Sequence, residues 1–363
     1  MIAIIDAELL HNGNHRFPNL ASMKLSGYYK RKGFDTKLIM DYNDIRKNTF
    51  EKIFISKVFT ETIVPKDVLE LPNVEYGGTG FFFDKAPALP NDIEHSKPDY
   101  DLYNDFVNAR IANGEKKSKL QYYTDYSWGF LTRGCIRQCP FCVLQNTKVV
   151  VEHSPVKEFY SPTRKYIGML DDNFLAFKGW KEKTNELLNY GKPVIFKQGL
   201  DIRLMTEEKA ELLSKLRYQT RIKWAFDNIA DRNIIEKKTE LWRKYYKKEC
   251  LYFVLVAFDR EDKWDDNFWK QDIIDAFTRV HILMQHGQFP YIMRFNRFKT
   301  APTYNFYVSF AAWNNQIQFF HKKSFREFLI LAKKEKVLLE METKYPEIVK
   351  EFFDLKYLNY NTK

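Results

Sequence analysis

The stretch Arg133-Gly134-Cys135-Ile136-Arg137-Gln138-Cys139-Pro140-Phe141-Cys142 gathers three of the four cysteines of the chain within eight residues. Three thiolates spaced in this way can wrap a compact loop around one face of an iron–sulfur cube. A cubane ligated wholly by protein needs four cysteines, so three leave one iron with an open position. An open position is what a catalytic metal site requires. Cys135, Cys139 and Cys142 are therefore predicted to hold a catalytic cluster.

A structural zinc site is the alternative interpretation of the same triplet. It would recruit a fourth ligand, such as His153 or Cys250. Zinc ligands usually come as two pairs separated by a spacer, and a tight triplet fits that spacing poorly. The competing class of function is then a zinc-stabilised nucleic-acid-binding protein, which a formal net charge of +11 and 22 tyrosines would suit.

The composition of the 363 residues argues against several classes of protein, namely nucleic-acid-binding, membrane and secreted proteins. The 58 Lys and Arg residues are mixed with 47 Asp and Glu residues, and no basic block typical of a nucleic-acid arm is present. No uncharged apolar run approaches the length of about 18 residues that a membrane span needs. The start of the chain, Met1–Asp6, lacks the basic residues of a signal peptide and is typical of a buried strand. We therefore expect a cytoplasmic protein that makes no membrane contact.

The first part of the chain, residues 1–115, alternates strands and helices as in a parallel, doubly wound, Rossmann-like sheet. A helix is predicted over Asn19–Lys32, with Gly33 ending it. The segment Gly77–Gly80 is predicted to form a tight turn, because no Lys-Ser/Thr pair follows it as in a phosphate loop. Prolines between Pro72 and Pro98 mark a linker. The predicted strands are Ile2–Asp6, Thr36–Met40 and Lys52–Val58.

Residues 116–310 show a second succession of strands and helices. Six strands with helical stretches between them are the pattern of a partial (β/α)6 barrel, whose active site would lie at the carboxyl ends of the strands. Residues 311–363 are predicted to form a charged helical appendage. The predicted barrel strands are Trp128–Leu131, Tyr166–Leu170, Pro193–Lys197, Ile222–Phe226, Leu251–Phe258 and Tyr291–Phe295.

The cysteine loop, with the aromatic Phe141 before its third cysteine, resembles the signature of the radical S-adenosylmethionine superfamily. Residues 1–115 resemble the cobalamin-binding-type domain that precedes the barrel in one large branch of that superfamily. Segments at the predicted strand ends also resemble motifs of this branch. They are Leu170-Asp171-Asp172-Asn173-Phe174, Gln198-Gly199-Leu200-Asp201-Ile202-Arg203 and Phe226-Asp227-Asn228.

This resemblance implies that the strand-end residues bind S-adenosylmethionine, and the chemistry of the cofactor agrees. Asp171 and Asp172, with Asn173, suit its ammonium group, and Arg203 suits its carboxylate. The ribose hydroxyls suit Asp201 or Asp227, and Phe141 and Gln198 complete the set of expected contacts.

Structural roles for the same residues stay open at this point. Asp172 and Asp227 could cap the segments that follow them, and Arg203 could pair with Asp201 or Glu207. Gln198 could make a buried hydrogen bond without touching a ligand.

The resemblance implies reductive cleavage of S-adenosylmethionine to a 5′-deoxyadenosyl radical that abstracts hydrogen from a substrate. The electron would come from a donor such as flavodoxin or ferredoxin, and the substrate is left open among small molecules, peptides and nucleic acids. Cobalamin is not expected, because the branch's Asp-x-His-x-x-Gly motif is missing after the third strand, where Ser56–Thr60 stands. A cobalamin-dependent radical methylase is the alternative enzyme. Cys250 is expected to be a small buried hydrophobe.

Overall fold

The computed structural model describes residues 1–13, 15–47, 49–259 and 261–357. The chain divides into two compact units, Met1–Lys197 and Gln198–Lys363, which are treated separately below. The domain boundaries after residues 115 and 310 stay predictions. No helix within the described ranges is both long and apolar enough to cross a membrane.

The first unit begins with a parallel sheet of strand order β2-β1-β3-β4 in the described part of the chain. The predicted parallel arrangement is confirmed, although two strands end earlier than predicted and β4 was not predicted. β1 is buried along its whole length, as expected for the centre of a sheet covered on both faces. The strands are β1 (Ile2–Asp6), β2 (Thr36–Leu38), β3 (Lys52–Ser56) and β4 (Val74–Gly77).

Helix α2 follows the sequence signals closely. The Asn19 side chain accepts a hydrogen bond from the Ser22 amide and caps the start, and Gly33 follows the end with a φ of +86°. The helices of the first unit are α1 (Ala7–His11), α2 (Leu20–Arg31), α3 (Tyr42–Lys47), α4 (Lys66–Leu69), α5 (Thr79–Phe82), α6 (Asn91–Glu94), α7 (Asn104–Ala112), α8 (Gln121–Thr124) and α9 (Trp180–Tyr190).

Two glycines of the segment Gly77–Gly80, Gly78 and Gly80, allow close packing. Gly77 ends β4, and Gly78, with a φ of +106°, precedes α5. A Cβ atom on Gly78 would lie 2.2 Å from the carbonyl oxygen of Lys57. The loop after β3 therefore approaches this turn too closely for any larger residue.

A second parallel sheet of the first unit has the order β5-β8-β9. On one of its faces Trp128, Leu170 and Ile195 pack with Leu20. β5 lies two residues before its predicted position, because the Leu131 amide bonds to the Asp171 side chain. The strands are β5 (Tyr126–Gly129), β8 (Tyr166–Met169) and β9 (Val194–Phe196), and a short antiparallel pair is formed by β6 (Thr132–Arg133) and β7 (Val151–Glu152).

The second unit contains a parallel sheet of order β10-β11-β12, to which Leu200 adds a bridge with Trp224. The six predicted barrel strands are all present, and their parallel pairing within each three-stranded sheet confirms the α/β class. Closure of the six strands into one partial barrel stays a prediction. The strands are β10 (Lys223–Ala225), β11 (Leu251–Val256) and β12 (Phe289–Arg294).

The end of the chain is helical over the described residues, as predicted. Ser324 and Glu327 form a reciprocal capping box at the start of α15. Aromatic side chains form the core here, with Phe277 of α12 against Phe310 and Phe352. The helices are α10 (Glu207–Ser214), α11 (Arg232–Tyr245), α12 (Asp266–Gln285), α13 (Tyr304–Asn314), α14 (Ile317–Phe320), α15 (Phe325–Leu331), α16 (Glu335–Lys344) and α17 (Pro346–Phe352).

Candidate active site

The cysteine loop, residues 134–150, is a long loop whose two ends are joined by strand pairing. β6 and β7 pair through Thr132 with Glu152 and Arg133 with Val151, so the residues between them form a closed loop. Gly134 opens the loop with a φ of +99°, and a Cβ atom there would lie 2.3 Å from the carbonyl oxygen of Val149. Only glycine fits this crossing of the two ends.

Backbone turns and one hydroxyl fold the interior of the loop. The Cys142 amide donates to the carbonyl oxygen of Cys139 at 2.9 Å. The Thr147 hydroxyl accepts from the Cys135 amide at 3.1 Å and lies 2.9 Å from the carbonyl oxygen of Leu144. These contacts bring the first and last turns of the loop together without using any of the thiols.

The three thiols are half-buried, and backbone amides point toward two of them. The Arg137 amide donates to the Cys135 sulfur at 3.4 Å, and the Leu144 amide donates to the Cys142 sulfur at 3.5 Å. Such bonds favour thiolates and tune iron–sulfur clusters. Three soft donors in one loop therefore fit an iron–sulfur cluster. No three His, Cys, Asp or Glu side chains of the described residues converge on a position for a single metal ion, but the cysteines of a cubane each bind a different iron.

Asp171 anchors the start of the cysteine loop. One carboxylate oxygen accepts from the Leu131 amide at 3.1 Å, and the other accepts from the amide and hydroxyl of Thr132 at 2.7 and 2.6 Å. Burial raises the pKa of Asp171 to about 6, although these donors oppose the shift. The predicted contact of Asp171 with the ammonium group of S-adenosylmethionine would have to compete with these bonds.

Asp172 lies beside the first residues of the same loop. Its carboxylate accepts from the Gly134 amide at 2.8 Å and lies 3.9 Å from Nε of Arg133. Burial raises the pKa of Asp172, while Arg133 and the Gly134 amide oppose the shift. Asp172 does not cap the following helical turn, because Asn173 stands at that position. The capping role considered for Asp172 is therefore excluded.

Asn173 places an unpaired acceptor beside a cysteine. Its side-chain amide group donates to the Cys135 sulfur at 3.4 Å. Its oxygen is buried and has no hydrogen-bond partner among the described residues. A buried acceptor without a donor is costly, so this oxygen suits a donor supplied by a ligand.

Arg203, in the second unit, is held by two carboxylates. Asp201 accepts from it at 2.7 and 3.2 Å, and Asp231 accepts at 2.7 Å. Burial lowers the pKa of the Arg203 guanidinium, but these bonds outweigh burial and raise the pKa above its usual value. The structural pairing considered for Arg203 is therefore present, with Asp231 rather than Glu207 as the additional partner.

Asp227 follows β10 and retains a carboxylate oxygen without a hydrogen-bond partner in the described part of the chain. Burial raises its pKa to about 6, and the positive charges of Arg279 and Arg203 oppose the shift. An unpaired oxygen at the carboxyl end of a strand suits a hydroxyl donor such as a ribose.

Gln198 is exposed, so the alternative of a buried hydrogen-bonding role is excluded. Phe141 is half-buried within the cysteine loop.

A partly buried polar network that includes His153, the residue after β7, was not predicted. Glu94 accepts from Lys24 at 2.8 Å and lies 2.9 Å from Nε2 of His153, whose Nδ1 lies 2.8 Å from the Ser154 hydroxyl. Burial raises the pKa of Glu94, but the bonds from His153 and Lys24 outweigh burial and bring it to about 2. Glu94 lies in the predicted linker, and no motif around it in the sequence indicates these contacts. Because both ring nitrogens of His153 have partners, the structure does not favour it as a zinc ligand.

Cys250 matches its prediction as a small buried hydrophobe. Its side chain is fully buried, its sulfur accepts from the indole nitrogen of Trp242 at 3.3 Å, and burial raises its pKa to about 11. A thiol in this state is a poor metal ligand.

Exposed apolar side chains collect where the strands of the first sheet end. Val58, Phe59 and Ile63 follow β3, and Phe82 and Phe83 follow β4. This carboxyl edge is where ligands bind in open parallel sheets. Asp84 lies immediately after it, and its carboxylate accepts from the side chains of Gln145 and Asn146. The cysteine loop therefore contacts the segment that follows β4.

Two solved structures of TsrM, a radical S-adenosylmethionine methyltransferase from Kitasatospora setae, are similar to this chain. One has cobalamin and a [4Fe-4S] cluster bound; it matches with a TM-score of 0.54 and 10% identity, over 81% of this chain and 74% of that chain. The other has a tryptophan substrate and an S-adenosylmethionine analogue bound; it matches with a TM-score of 0.51 and 13% identity, over 77% and 71% of the two chains.

The chain has the TsrM fold. No protein-family model matches the sequence. A search of curated proteins found no match either. The similarity to TsrM is therefore detected by comparing structures and not by comparing sequences.

The expectation that cobalamin is unlikely was wrong. It rested on a missing histidine motif after β3, yet a solved protein with this fold has cobalamin bound. The missing motif removes one way of ligating cobalt, and it does not decide whether a chain with this fold binds cobalamin.

Proposed function

We propose that this chain is a radical S-adenosylmethionine enzyme whose [4Fe-4S] cluster is held by Cys135, Cys139 and Cys142. The observation that carries the proposal is the closed loop that presents three half-buried thiols, with backbone amides donating to two of the sulfurs. The loop follows β5 at the carboxyl edge of a parallel sheet, where active sites of such folds lie. The similarity in fold to TsrM supports the same class.

The surrounding residues bind and orient the cofactor. Asp171 fixes the start of the loop, and the amide of Asn173 stabilises the Cys135 thiolate. Asp172 and the unpaired oxygen of Asn173 accept from the ammonium group of S-adenosylmethionine. When bound, the cluster would supply low-potential electrons for the chemistry of S-adenosylmethionine. This proposal includes an electron donor such as flavodoxin or ferredoxin. It also includes a cytoplasmic location.

Cobalamin-dependent methyl transfer is the reaction we favour. Both TsrM structures are of a methyltransferase, and one of them has cobalamin bound. In this chain the exposed apolar edge of the first sheet is adjacent to the cysteine loop through Asp84. That adjacency suits a reaction in which a corrin and S-adenosylmethionine lie side by side. Hydrogen abstraction by a 5′-deoxyadenosyl radical is the second candidate, because the cysteine triplet supports it equally well.

The products of S-adenosylmethionine distinguish these reactions. The full-length chain would be reconstituted without oxygen with iron, sulfide, hydroxocobalamin and a low-potential reductant. Mass spectrometry would then quantify S-adenosylhomocysteine, methionine and 5′-deoxyadenosine. We expect S-adenosylhomocysteine, with or without 5′-deoxyadenosine, for methyl transfer, whereas equal amounts of methionine and 5′-deoxyadenosine without S-adenosylhomocysteine would favour hydrogen abstraction. Formation of none of these products by protein that carries its cluster would contradict both.

Two cysteine variants serve as matched controls in this experiment. Cys139→Ala should lose most of the iron and all product formation, because it removes one of three ligands. Cys250→Ala should retain both, because its thiol is buried against Trp242. Normal iron content in Cys139→Ala would show that the ligand set is wrong.

A further inference from the structure

Lys197 stands at the carboxyl edge of the β5-β8-β9 sheet. It follows the last residue of β9, and its amide donates to the carbonyl oxygen of Met169 at 2.9 Å, which continues the pairing with β8. The segments after β5 and β8 leave the same edge and include the cysteine loop and Asp172. The side chain of Lys197 therefore belongs to the edge at which the cluster is proposed to bind.

The ammonium group of Lys197 lies among aromatic rings. Its Nζ atom is 4.6 Å from the centre of the Tyr122 ring and 5.2 Å from that of Phe17. Both rings pack against Trp128. Burial lowers the pKa of Lys197. The rings attract the cation but accept none of its three N–H bonds in the manner of an oxygen.

Lys197 has no anionic partner among the residues that the structure describes. Within the described residues, no side chain or carbonyl forms a hydrogen bond or ion pair with its Nζ atom. Two buried lysines of the first unit differ: Lys24 is paired with Glu94, and Lys183 with Glu152. Lys197 is half-buried, and a cation that is partly withdrawn from water is normally paired, yet the described part of the chain gives it no counter-charge.

We propose that Lys197 binds an anionic group, a carboxylate or a phosphate, of the substrate. The inference rests on the proposed function, which places the substrate at this edge beside the cluster and S-adenosylmethionine. Tyr122 and Phe17 then form an apolar wall behind the anion. The substrate class is narrowed to molecules that carry a carboxylate or phosphate.

Protection of Lys197 from acetylation tests this binding. The full-length reconstituted protein would be treated briefly with an acetylating reagent at one pH, and peptide mass spectrometry would compare Lys197 with Lys192, at the amino end of β9. The probes are benzoate, phenyl phosphate and neutral benzamide at equal ionic strength. We expect at least one of the two anions to slow acetylation of Lys197 about fivefold or more, as a charge-assisted contact would. Benzamide should have no effect, and Lys192 should be unaffected by all three.

Variants provide the second arm. Binding of the protecting anion to the variants would be measured by titration calorimetry, because Lys197→Met leaves no lysine to acetylate. Lys197→Met should weaken this binding about tenfold or more, because a charge-assisted bond is lost. Lys197→Arg should retain most of the binding, and Lys192→Met should retain all of it. Equal affinity in Lys197→Met, or no protection by either anion, would overturn the proposal. S-adenosylmethionine would be tested as a further probe, and protection by it with none from either anion would assign the lysine to the cofactor instead. Anion protection does not require turnover, so this result is independent of the product assay.

Discussion

Asp171, Asp172 and Asn173 are consecutive, yet they occupy three different environments. Both carboxylate oxygens of Asp171 accept hydrogen bonds from the backbone amides of Leu131 and Thr132, which they hold in place. Asp172 bonds to the Gly134 amide at the mouth of the cysteine loop. Asn173 turns toward the Cys135 sulfur and leaves its oxygen unpaired. The direction of each side chain therefore separates a residue that holds the loop from residues that suit the cofactor.

Asp172→Asn is expected to weaken binding of S-adenosylmethionine about ten- to a hundredfold, because a charge-assisted bond to the ammonium group is lost. Iron content should not change, since Asp172 is not a cluster ligand. The measurement is a titration of the reconstituted protein, followed by the change in the paramagnetic resonance signal of the reduced cluster. Asp125→Asn, which alters a surface pair with Lys165, is the matched control. Wild-type affinity in Asp172→Asn would leave Asp172 with a purely structural role.

At the scale of elements, the cysteine loop depends on contacts at both of its ends. The β6–β7 pair closes it, and Gly134 permits the crossing. Asp171 then replaces the backbone of β8 as the partner of the Leu131 amide, so β5 ends at Gly129 and the chain leaves the sheet. The strand end and the loop start are thus set by one buried carboxylate.

Asp6, the last residue of β1, predicts a pH dependence of stability. Burial raises its pKa to about 7 from 3.8, although the Tyr103 hydroxyl donates to it at 2.7 Å. The folded chain therefore binds a proton that the unfolded chain releases between about pH 4 and 7. The free energy of unfolding should fall as pH rises through this window, by about 4 kcal/mol at most.

Asp6→Asn keeps an acceptor for Tyr103 but cannot ionise, so it should remove this part of the pH dependence. Urea unfolding at several pH values would measure the difference between variant and wild type. That difference should grow in favour of the variant from about pH 4 to 7. The exposed Asp105 offers a control, since Asp105→Asn should follow the wild type. Parallel curves for Asp6→Asn and wild type would contradict the assignment.

At the scale of the whole molecule, the similarity to TsrM extends over most of the chain, although only about a tenth of the residues are identical. A fold tolerates such divergence when apolar patterning and turn residues are kept. Function then depends on the sites that the fold carries. Here these are the cysteine loop and the apolar sheet edge beside it.

The full-length protein is expected to retain about one cobalamin per chain after incubation with hydroxocobalamin and desalting, as quantified by cobalt content. Phe59→Asp should reduce retention about tenfold or more, because a carboxylate would be buried against the corrin. Leu339→Asp changes another exposed apolar side chain, on α16, and should retain the cofactor. Absence of cobalt in the wild type, or equal retention in both variants, would remove cobalamin from the proposal.

The sequence by itself determined the features that depend on neighbours along the chain. The spacing of Cys135, Cys139 and Cys142 is such a feature, and so are the cap of α2 at Asn19 and the stop at Gly33. The parallel direction of the strands followed from the alternation of apolar strands with helical stretches, because a parallel connection needs a crossover, usually a helix. The strand order β2-β1-β3-β4 was not predicted.

Only the tertiary structure decided which partner each polar side chain meets. Asp171 is bound by residues about 40 positions earlier, Arg203 by Asp231, and Lys197 by no carboxylate of the described chain. The strands β4, β6 and β7 were also missed, since their short sequences carry little periodicity and pairing stabilises them. The physical reason is the same throughout. The sequence specifies the chemical type of each side chain. Its burial and charge environment depend on segments that are distant in the chain and pack together in the fold.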